Sequence, residues 1–404
     1  MNSELANQRK FILVLGCLTM LTAVSIDISL PAIPEMARYL ATSISAGQQI
    51  VGVFLLGVAI GQIPAGLMSD RLGRRPVLLG GVALFTLSGV ICAAAQDIEV
   101  MLAARFVQGI CSAVGTVVIR AIVRDIASGA DAARLMSLLL MIFTAAPMLA
   151  PLLGAFLVTL WGWRAPFAAI VIMGVVLLTT ASLVIRETHR PVRSHGILRQ
   201  FGLSVREFLS HRQCVFGALL VMLTSAGFIS MITGSPALVV EIYEIPVPMF
   251  GYIFALTGVS ILTGSMLNKY LLRHYDGLAL IGFAATLIGI AAIQLMLIVW
   301  LENVPFWWIW ANFCLYMLAS GILLPNATAI ALDPVPAIAG VGASIVGVLQ
   351  TLSAALGSLA SGLIFDGSVG RIIIILALFG LATGVAYLAG RPLLGDAATT
   401  RVPL

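Results

Sequence analysis

Charge is what this chain has least of: 10% of its 404 residues are Asp, Glu, Lys or Arg, and 60% are hydrophobic. A soluble protein carries roughly 25% charged residues, so a water-soluble globule is excluded. Lysine stands only at Lys10 and Lys269. Neither lies in a GxxxxGKS/T loop, which excludes ATP hydrolysis by this chain. The histidines are His189, His195, His211 and His274, with no HExxH pattern and no nucleophile elbow among the apolar runs, so no enzyme chemistry is visible. Cys17, Cys92, Cys111, Cys214 and Cys314 are scattered without a CxxC pair, which argues against a disulfide framework or a metal site. No cofactor is expected. The net charge of +5 does not by itself imply nucleic acid, and none is expected as a partner.

What abounds is apolar sequence in helix-length runs. About 20 apolar residues cross a hydrocarbon layer of about 30 Å. Such runs fall near residues 11–31, 47–69, 76–96, 100–123, 135–160 and 165–185, then 213–240, 249–271, 277–300, 305–332, 336–365 and 369–390. The expected fold class is an all-α membrane protein of twelve spans. Two six-helix bundles, 1–185 and 213–404, flank a polar linker at 186–212. The 39 Gly and 17 Pro fit this class, because lipid-embedded helices tolerate both. The first run follows Arg9 and Lys10 as a secretory signal would. It is long, holds Asp27 and lacks a small-residue cleavage site, so it is expected to be retained. The linker holds six Arg, three His and two Glu. Within it Ile197, Phe201, Val205 and Phe208 recur at helical spacing, which predicts an amphipathic helix on the membrane surface.

Lys and Arg concentrate in cytoplasmic loops. With the amino terminus inside, only Arg38, Arg164 and Arg371 of the 22 basic residues fall in outer loops, and Arg105 and Arg120 fall within the fourth span. Both termini are therefore expected in the cytoplasm. The expected outer loops carry Asp97, Glu99, Glu241, Glu244 and Glu302, bordered by Trp161, Trp163, Trp300 and Phe306 to Trp308. Aromatic rings of this kind favour the interface.

Between spans two and three stands Gly66-Leu-Met-Ser-Asp70-Arg71-Leu-Gly73-Arg74-Arg75-Pro76. Gly66 is expected to let helices approach closely, Gly73 to permit a sharp reversal, and Asp70 to pair with Arg. This run resembles the GxLxDRxGRR signature of the major facilitator superfamily. In the second half Gly264-Ser-Met-Leu-Asn268-Lys269 with Arg273 forms a degraded echo, Asn268 standing where Asp70 would be. Two related halves follow, as in other repeat-built transporters.

Further segments resemble the bicyclomycin- and chloramphenicol-resistance type of drug:proton antiporter. Asp27-Ile-Ser-Leu-Pro-Ala-Ile-Pro-Glu-Met36 is similar to its DxxLPAxPxM ending of span one, and Arg105-Phe-Val-Gln108-Gly109 to its RxxQG in span four. Arg120 to Asp125, Ala146 to Gly154, Gly234-Ser235-Pro236 and Pro325-Asn326-Ala327 extend the likeness over nearly the whole chain. Gly154 is followed by Ala155 where the family usually has a second Gly, and Ser25-Ile26 replaces its common Ser-Thr. The resemblance implies export against protons, with an acid on span one as the proton site and Pro147, Pro151 and Gly154 as the antiporter motif of span five.

Ionisable groups at membrane depth are functional candidates by default. At 1.5 Å per residue Asp27 rises about 24 Å above Phe11, close in depth to Arg105. The two are expected to share a cavity and to meet directly or through water, with Thr22, Ser25, Gln108, Ser112 and Thr116 nearby. The plainer alternatives are that Asp27 satisfies a broken helix end and that Arg105 ties spans one and four. Arg120, Arg124 and Asp125 with Asp70 are candidates for an inner gate, or simply snorkelling loop anchors. Phe228, Asn312, Tyr316, Asn326 and Gln350 are cavity candidates of the second half. The expected protein is a monomer of the inner (plasma) membrane whose partners are lipid, protons and a small-molecule substrate. A carrier of a metabolite such as a nucleobase, siderophore or amino-acid derivative, and a non-transporting scaffold, stay open as alternatives.

Overall fold

The computed structural model describes residues 2–144, 146–189, 197–299, 301 and 304–392. Arg190, Arg193, His195, Trp300, Glu302 and Arg401 lie outside the described residues. Every described regular element is helical. The helices are α1 (Asn2–Thr19), α2 (Leu21–Asp27), α3 (Ile33–Tyr39), α4 (Ile44–Leu72), α5 (Arg74–Ala94), α6 (Ile98–Ser112), α7 (Val114–Ile126), α8 (Gly129–Thr144) and α9 (Ala146–Trp161). They continue as α10 (Arg164–Val184), α11 (Ile197–Ser210), α12 (Arg212–Pro236), α13 (Val247–Leu271), α14 (Gly277–Ile298), α15 (Phe306–Leu332), α16 (Ala339–Ile364) and α17 (Val369–Gly390). Among the described residues 11 helical stretches are long and apolar enough to span a membrane, and 12 if the bent pair Lys10–Thr19 and Leu21–Tyr39 is one span.

Lipid offers no partner for a free N–H or C=O, so each span closes its own hydrogen bonds. Hydroxyls inside the spans do the same by bonding back one turn, as in Thr86 to the Val82 carbonyl at 2.7 Å and Ser88 to the Leu84 carbonyl at 2.8 Å. Where chains re-enter, short acceptors cap the first turn. Ser43 takes the Ala46 N–H at 3.1 Å, Asp97 that of Val100 at 2.7 Å, and Asp276 that of Ala279 at 2.7 Å.

The first span departs from the expected end at residue 31. Pro31 has no N–H to give the Asp27 carbonyl, and Pro34 none for that of Leu30. A single 3-10 turn, Leu30–Ala32, bridges the gap, and α3 runs on to Tyr39 with Ile33, Met36 and Ala37 buried. The span bends by 50° between Thr19 and Leu21.

The residues fall into two compact units. The first holds Met1–Arg193 with Val239–Ala255, a segment that the sequence places in the second half. In it α4 and α5 pack on α6, α10 on α5, α8 on α1, and α9 on α2. The second holds Ser194–Leu238 and Leu256–Leu404, with α12 packed against α15, α16 and α17, and α14 against α15 and α17. Its linker helix α11 packs on α16 through the fully buried Phe208, so this part of its apolar face meets protein rather than a membrane surface.

Candidate functional site

The break in span one builds the centre of the site. Ser29 turns its N–H to the Ile26 carbonyl at 3.1 Å, which deprives the Ser25 carbonyl of its helical donor. Two side chains supply the loss: Ser29 Oγ at 3.1 Å and Arg105 Nη2 at 3.2 Å. Arg105 stands on α6, fully buried, and its Nη1 donates to Gln108 Oε1 at 2.9 Å. Gln108 in turn donates to the Phe85 carbonyl at 3.4 Å. The Phe54 ring lies 4.4 Å from the guanidinium carbon and that of Phe167 5.9 Å away, within range of a cation–π contact. Gly109 makes this stacking possible. A Cβ there would lie 2.9 Å from the Phe54 carbonyl carbon, so only a glycine lets α6 come this near α4.

Thr22 Oγ1 meets Ser112 Oγ at 3.2 Å, so Thr22, Ser25 and Ser29 form one polar stripe of α2 and its extension facing α6. Ser112 also donates to the Gly109 carbonyl, and Thr116 is spent on the Ala113 carbonyl at 3.1 Å.

Asp27 is buried, at 6% exposure. It makes no ion pair among the described residues, which corrects the expected direct contact with Arg105. The reason is azimuth. Residues two apart on a helix point about 200° apart, and Arg105 is taken up by the Ser25 carbonyl and by Gln108 instead. The opposite flank of the break is covered by α9, where a Cβ on Gly154 would stand 2.9 Å from the Ile28 carbonyl carbon. Pro151 is buried and Pro147 half-buried on the same helix.

At the other end of the first unit the loop motif forms a knot around Arg74, whose side chain is 5% exposed. It pairs with Asp70, with Asp125 at 2.9 Å and with Ser69 Oγ at 3.0 Å. Gly73 makes the reversal at φ +98°. Glu187 lay outside the sequence expectations. Its carboxylate accepts the backbone N–H groups of Arg74 at 2.9 Å and Arg75 at 3.1 Å, at the start of α5, where the helix dipole favours an anion. Burial pushes the Glu187 pKa up, but hydrogen bonds from the His189, Arg74, Arg75 and Thr188 amides outweigh it and hold the carboxyl below its ordinary value. Arg75 closes the end of α10 in return, donating to the Ile185 carbonyl at 2.9 Å and to that of Ser182 at 2.8 Å. Glu187 has no spacing relation to the motif, more than a hundred residues upstream, so no sequence signal marks it.

These ion pairs lie wholly within the first unit and tie α4, α5 and α7 together. Arg71, Arg120 and Arg124 make no ion pair among the described residues, so of the residues expected at an inner gate Asp70 and Asp125 pair, both with Arg74. Gly66 is corrected too. A Cβ there would meet Val117 Cγ1 at 3.5 Å, an ordinary contact.

In the second unit three cavity candidates are held by protein groups. Asn312 donates to the Trp308 carbonyl at 3.0 Å, Tyr316 to that of Thr224 at 3.2 Å, and Asn326 to Asn268 Oδ1 at 2.6 Å. The echo residue Asn268 thus makes a neutral amide pair where Asp70 makes an ionic one. Phe228 and Gln350 are half-buried. Among the described residues no cluster of three His, Cys, Asp or Glu side chains suits a metal ion.

The family model described as Major Facilitator Superfamily matches residues 15–358. The uncharacterized MFS-type transporter YdgK of Bacillus subtilis is 31% identical over 87% of either chain. The bicyclomycin resistance protein homolog of Haemophilus influenzae is 29% identical, covering 89% of this chain and 92% of that one. Multidrug resistance protein D of Escherichia coli is 28% identical, over 89% and 90%. Among solved structures a D-xylose-proton symporter superposes with a TM-score of 0.75 at 17% identity, covering 94% of this chain and 96% of that one.

Proposed function

We propose that this chain, which belongs to the Major Facilitator Superfamily, exports small amphipathic compounds in exchange for protons taken up at Asp27. Membership makes it a multi-pass membrane transporter of small molecules and not an enzyme. One observation carries the proton assignment: Asp27 is buried on a two-turn helix between two breaks, with no ion pair among the described residues. A carboxyl in such a place gains or loses its proton with small changes in access to water. Arg105, locked to the carbonyl two residues earlier, holds that helix and is the second member of the coupling pair. The names of the relatives, a bicyclomycin resistance protein homolog and multidrug resistance proteins, support an amphipathic drug as substrate.

In the cycle we infer, the inward-open cavity binds substrate while Asp27 is ionised, and protonation from outside favours release. One proton moving through about 200 mV supplies roughly 4.6 kcal/mol, enough for a ratio of about a thousandfold. The uneven distribution of Lys and Arg supports cytoplasmic termini in the inner membrane, and the chain acts as a monomer that needs no cofactor beyond the proton gradient.

The test is proton movement in liposomes with a trapped pH dye, over amphenicols, bicyclomycin, lipophilic cations, nucleobases and amino-acid derivatives. A substrate-triggered flux lost in Asp27→Asn is expected. A flux retained in that variant would remove Asp27 as the proton site; a response to a nucleobase or amino-acid derivative alone would make the chain a metabolite carrier.

A further inference from the structure

Where α9 ends, α10 begins and α5 ends, the first unit carries a trough of about 530 Å³. It is lined by four alanines, among them Ala93 and Ala168, and by Leu157, Trp161 and Ile172. Trp161 and Ile172 are 66% and 65% exposed, so in a membrane-spanning chain the trough faces lipid. Arg164 stands at its head. Nε donates to the Ala93 carbonyl at 3.0 Å and Nη2 to the Ala95 carbonyl at 3.2 Å, while the guanidinium lies 4.2 Å from the Tyr39 ring centre and 4.3 Å from that of Trp163. These contacts fix the cation without neutralising it. The two other outer arginines have carboxylates, Arg38 with Glu241 at 2.8 Å and Arg371 with Asp366 at 3.1 Å. Arg164 makes no ion pair among the described residues. In the turn between α9 and α10, two residues before Arg164 in the chain, a Cβ on Gly162 would stand 3.0 Å from Glu35 Oε1, and Glu35 too makes no ion pair among the described residues.

A fixed cation lining an apolar trough, with a carboxylate against the turn between its Trp161 and Arg164, complements a zwitterionic lipid. We propose that this trough binds one aminophospholipid of the adjoining leaflet, its phosphodiester on Arg164, its ammonium on Glu35 and one acyl chain along the alanines that line it. Exposed Asp97 and Glu99, just beyond Ala95 in the chain, disfavour an anionic headgroup and strengthen that choice. The site needs only a membrane-embedded chain and stands apart from proton coupling.

Native mass spectrometry of the full chain from nanodiscs of equal phosphatidylethanolamine and phosphatidylglycerol tests it. The wild type is expected to retain one phosphatidylethanolamine copy with about tenfold preference, the factor that one charge-assisted hydrogen bond of about 1.4 kcal/mol supplies. Arg164→Gln and Ala168→Phe, the second filling the trough without touching the cation, should each lose that copy. Glu35→Gln should keep a lipid and lose the preference. Retention of both lipids alike by the wild type, or an unchanged lipid pattern in Ala168→Phe, overturns the proposal.

Discussion

Replacing Arg105 with Met separates a transport role from a structural one. The guanidinium is fully buried and is held by neutral groups alone: Gln108 Oε1 at 2.9 Å, the Ser25 carbonyl at 3.2 Å and the Phe54 ring at 4.4 Å. Burying an ion of this kind costs several kcal/mol. Hydrogen bonds from a charged donor return about 1.5–3 kcal/mol each, and a desolvated cation–π contact about 2 kcal/mol. The two sides cancel to within a few kcal/mol. Methionine fills much of the same volume, and the Ser25 carbonyl keeps the Ser29 hydroxyl at 3.1 Å. What remains is the acceptor left on Gln108, costing about 1–3 kcal/mol. The unfolding free energy of Arg105→Met is therefore expected within about 3 kcal/mol of the wild type, alongside loss of substrate-driven proton flux. Both are read on one preparation, by unfolding in detergent and by liposome assay. A loss above about 4 kcal/mol with flux intact would make Arg105 a tie between α2 and α6 and refute the reasoning.

The knot around Arg74 predicts a contrast: Asp125→Asn should cost about 1–3 kcal/mol in detergent unfolding, whereas Arg71→Ala should stay within about 0.5 kcal/mol. Equal losses would contradict the assignment of Arg74 as the hub. Because the folded-state pKa of Glu187 is depressed, its contribution is present above the ordinary glutamate value of about 4.3 and fades as pH falls through the lower folded value. Hydrogen exchange at the Arg74 and Arg75 amides should quicken, relative to the pH dependence of the intrinsic rate, as that range is crossed. Glu187→Gln should remove this dependence, and a wild type without it would sink the idea. Gly154→Leu should abolish flux, since the atoms its side chain meets are the Ile28 backbone beside Asp27. Gly66→Ala should be near neutral in both flux and stability. A Gly154→Leu protein that transports normally would show that α2 tolerates displacement.

Span positions were legible because lipid imposes length and apolarity on any crossing helix, and sequence carries both directly. The end of the first span was not. Pro31 marks a missing donor, but whether the chain stops there depends on what surrounds Ile33 and Met36, which are fully buried. A direct Asp27–Arg105 contact is absent for a related reason: counting residues yields depth and says nothing of the direction a side chain takes around its axis. The loop motif announced its ions without their pairing, since Arg74 finds Asp125 on another helix and Glu187 caps α5 from beyond α10. Asn312, Tyr316 and Asn326 are polar groups in apolar spans, yet their hydrogen bonds go to neighbouring carbonyls and to Asn268. Polar type alone does not separate a group that greets a substrate from one that fastens two helices.

The broken first span also bears on how the chain is made. It meets the length and apolarity of a crossing helix only when Lys10–Thr19 and Leu21–Tyr39 are taken together, and it carries an acid whose insertion costs about 2.5–3.5 kcal/mol at the centre of a bilayer. The groups that settle its break, Arg105 for the Ser25 carbonyl and Gly154 against Ile28, leave the ribosome about 80 and 125 residues later. At about 5–20 residues per second that is a wait of about 4 to 25 seconds. During it the amino-terminal segment is without these two partners, and its break is fully packed only as the fifth span arrives.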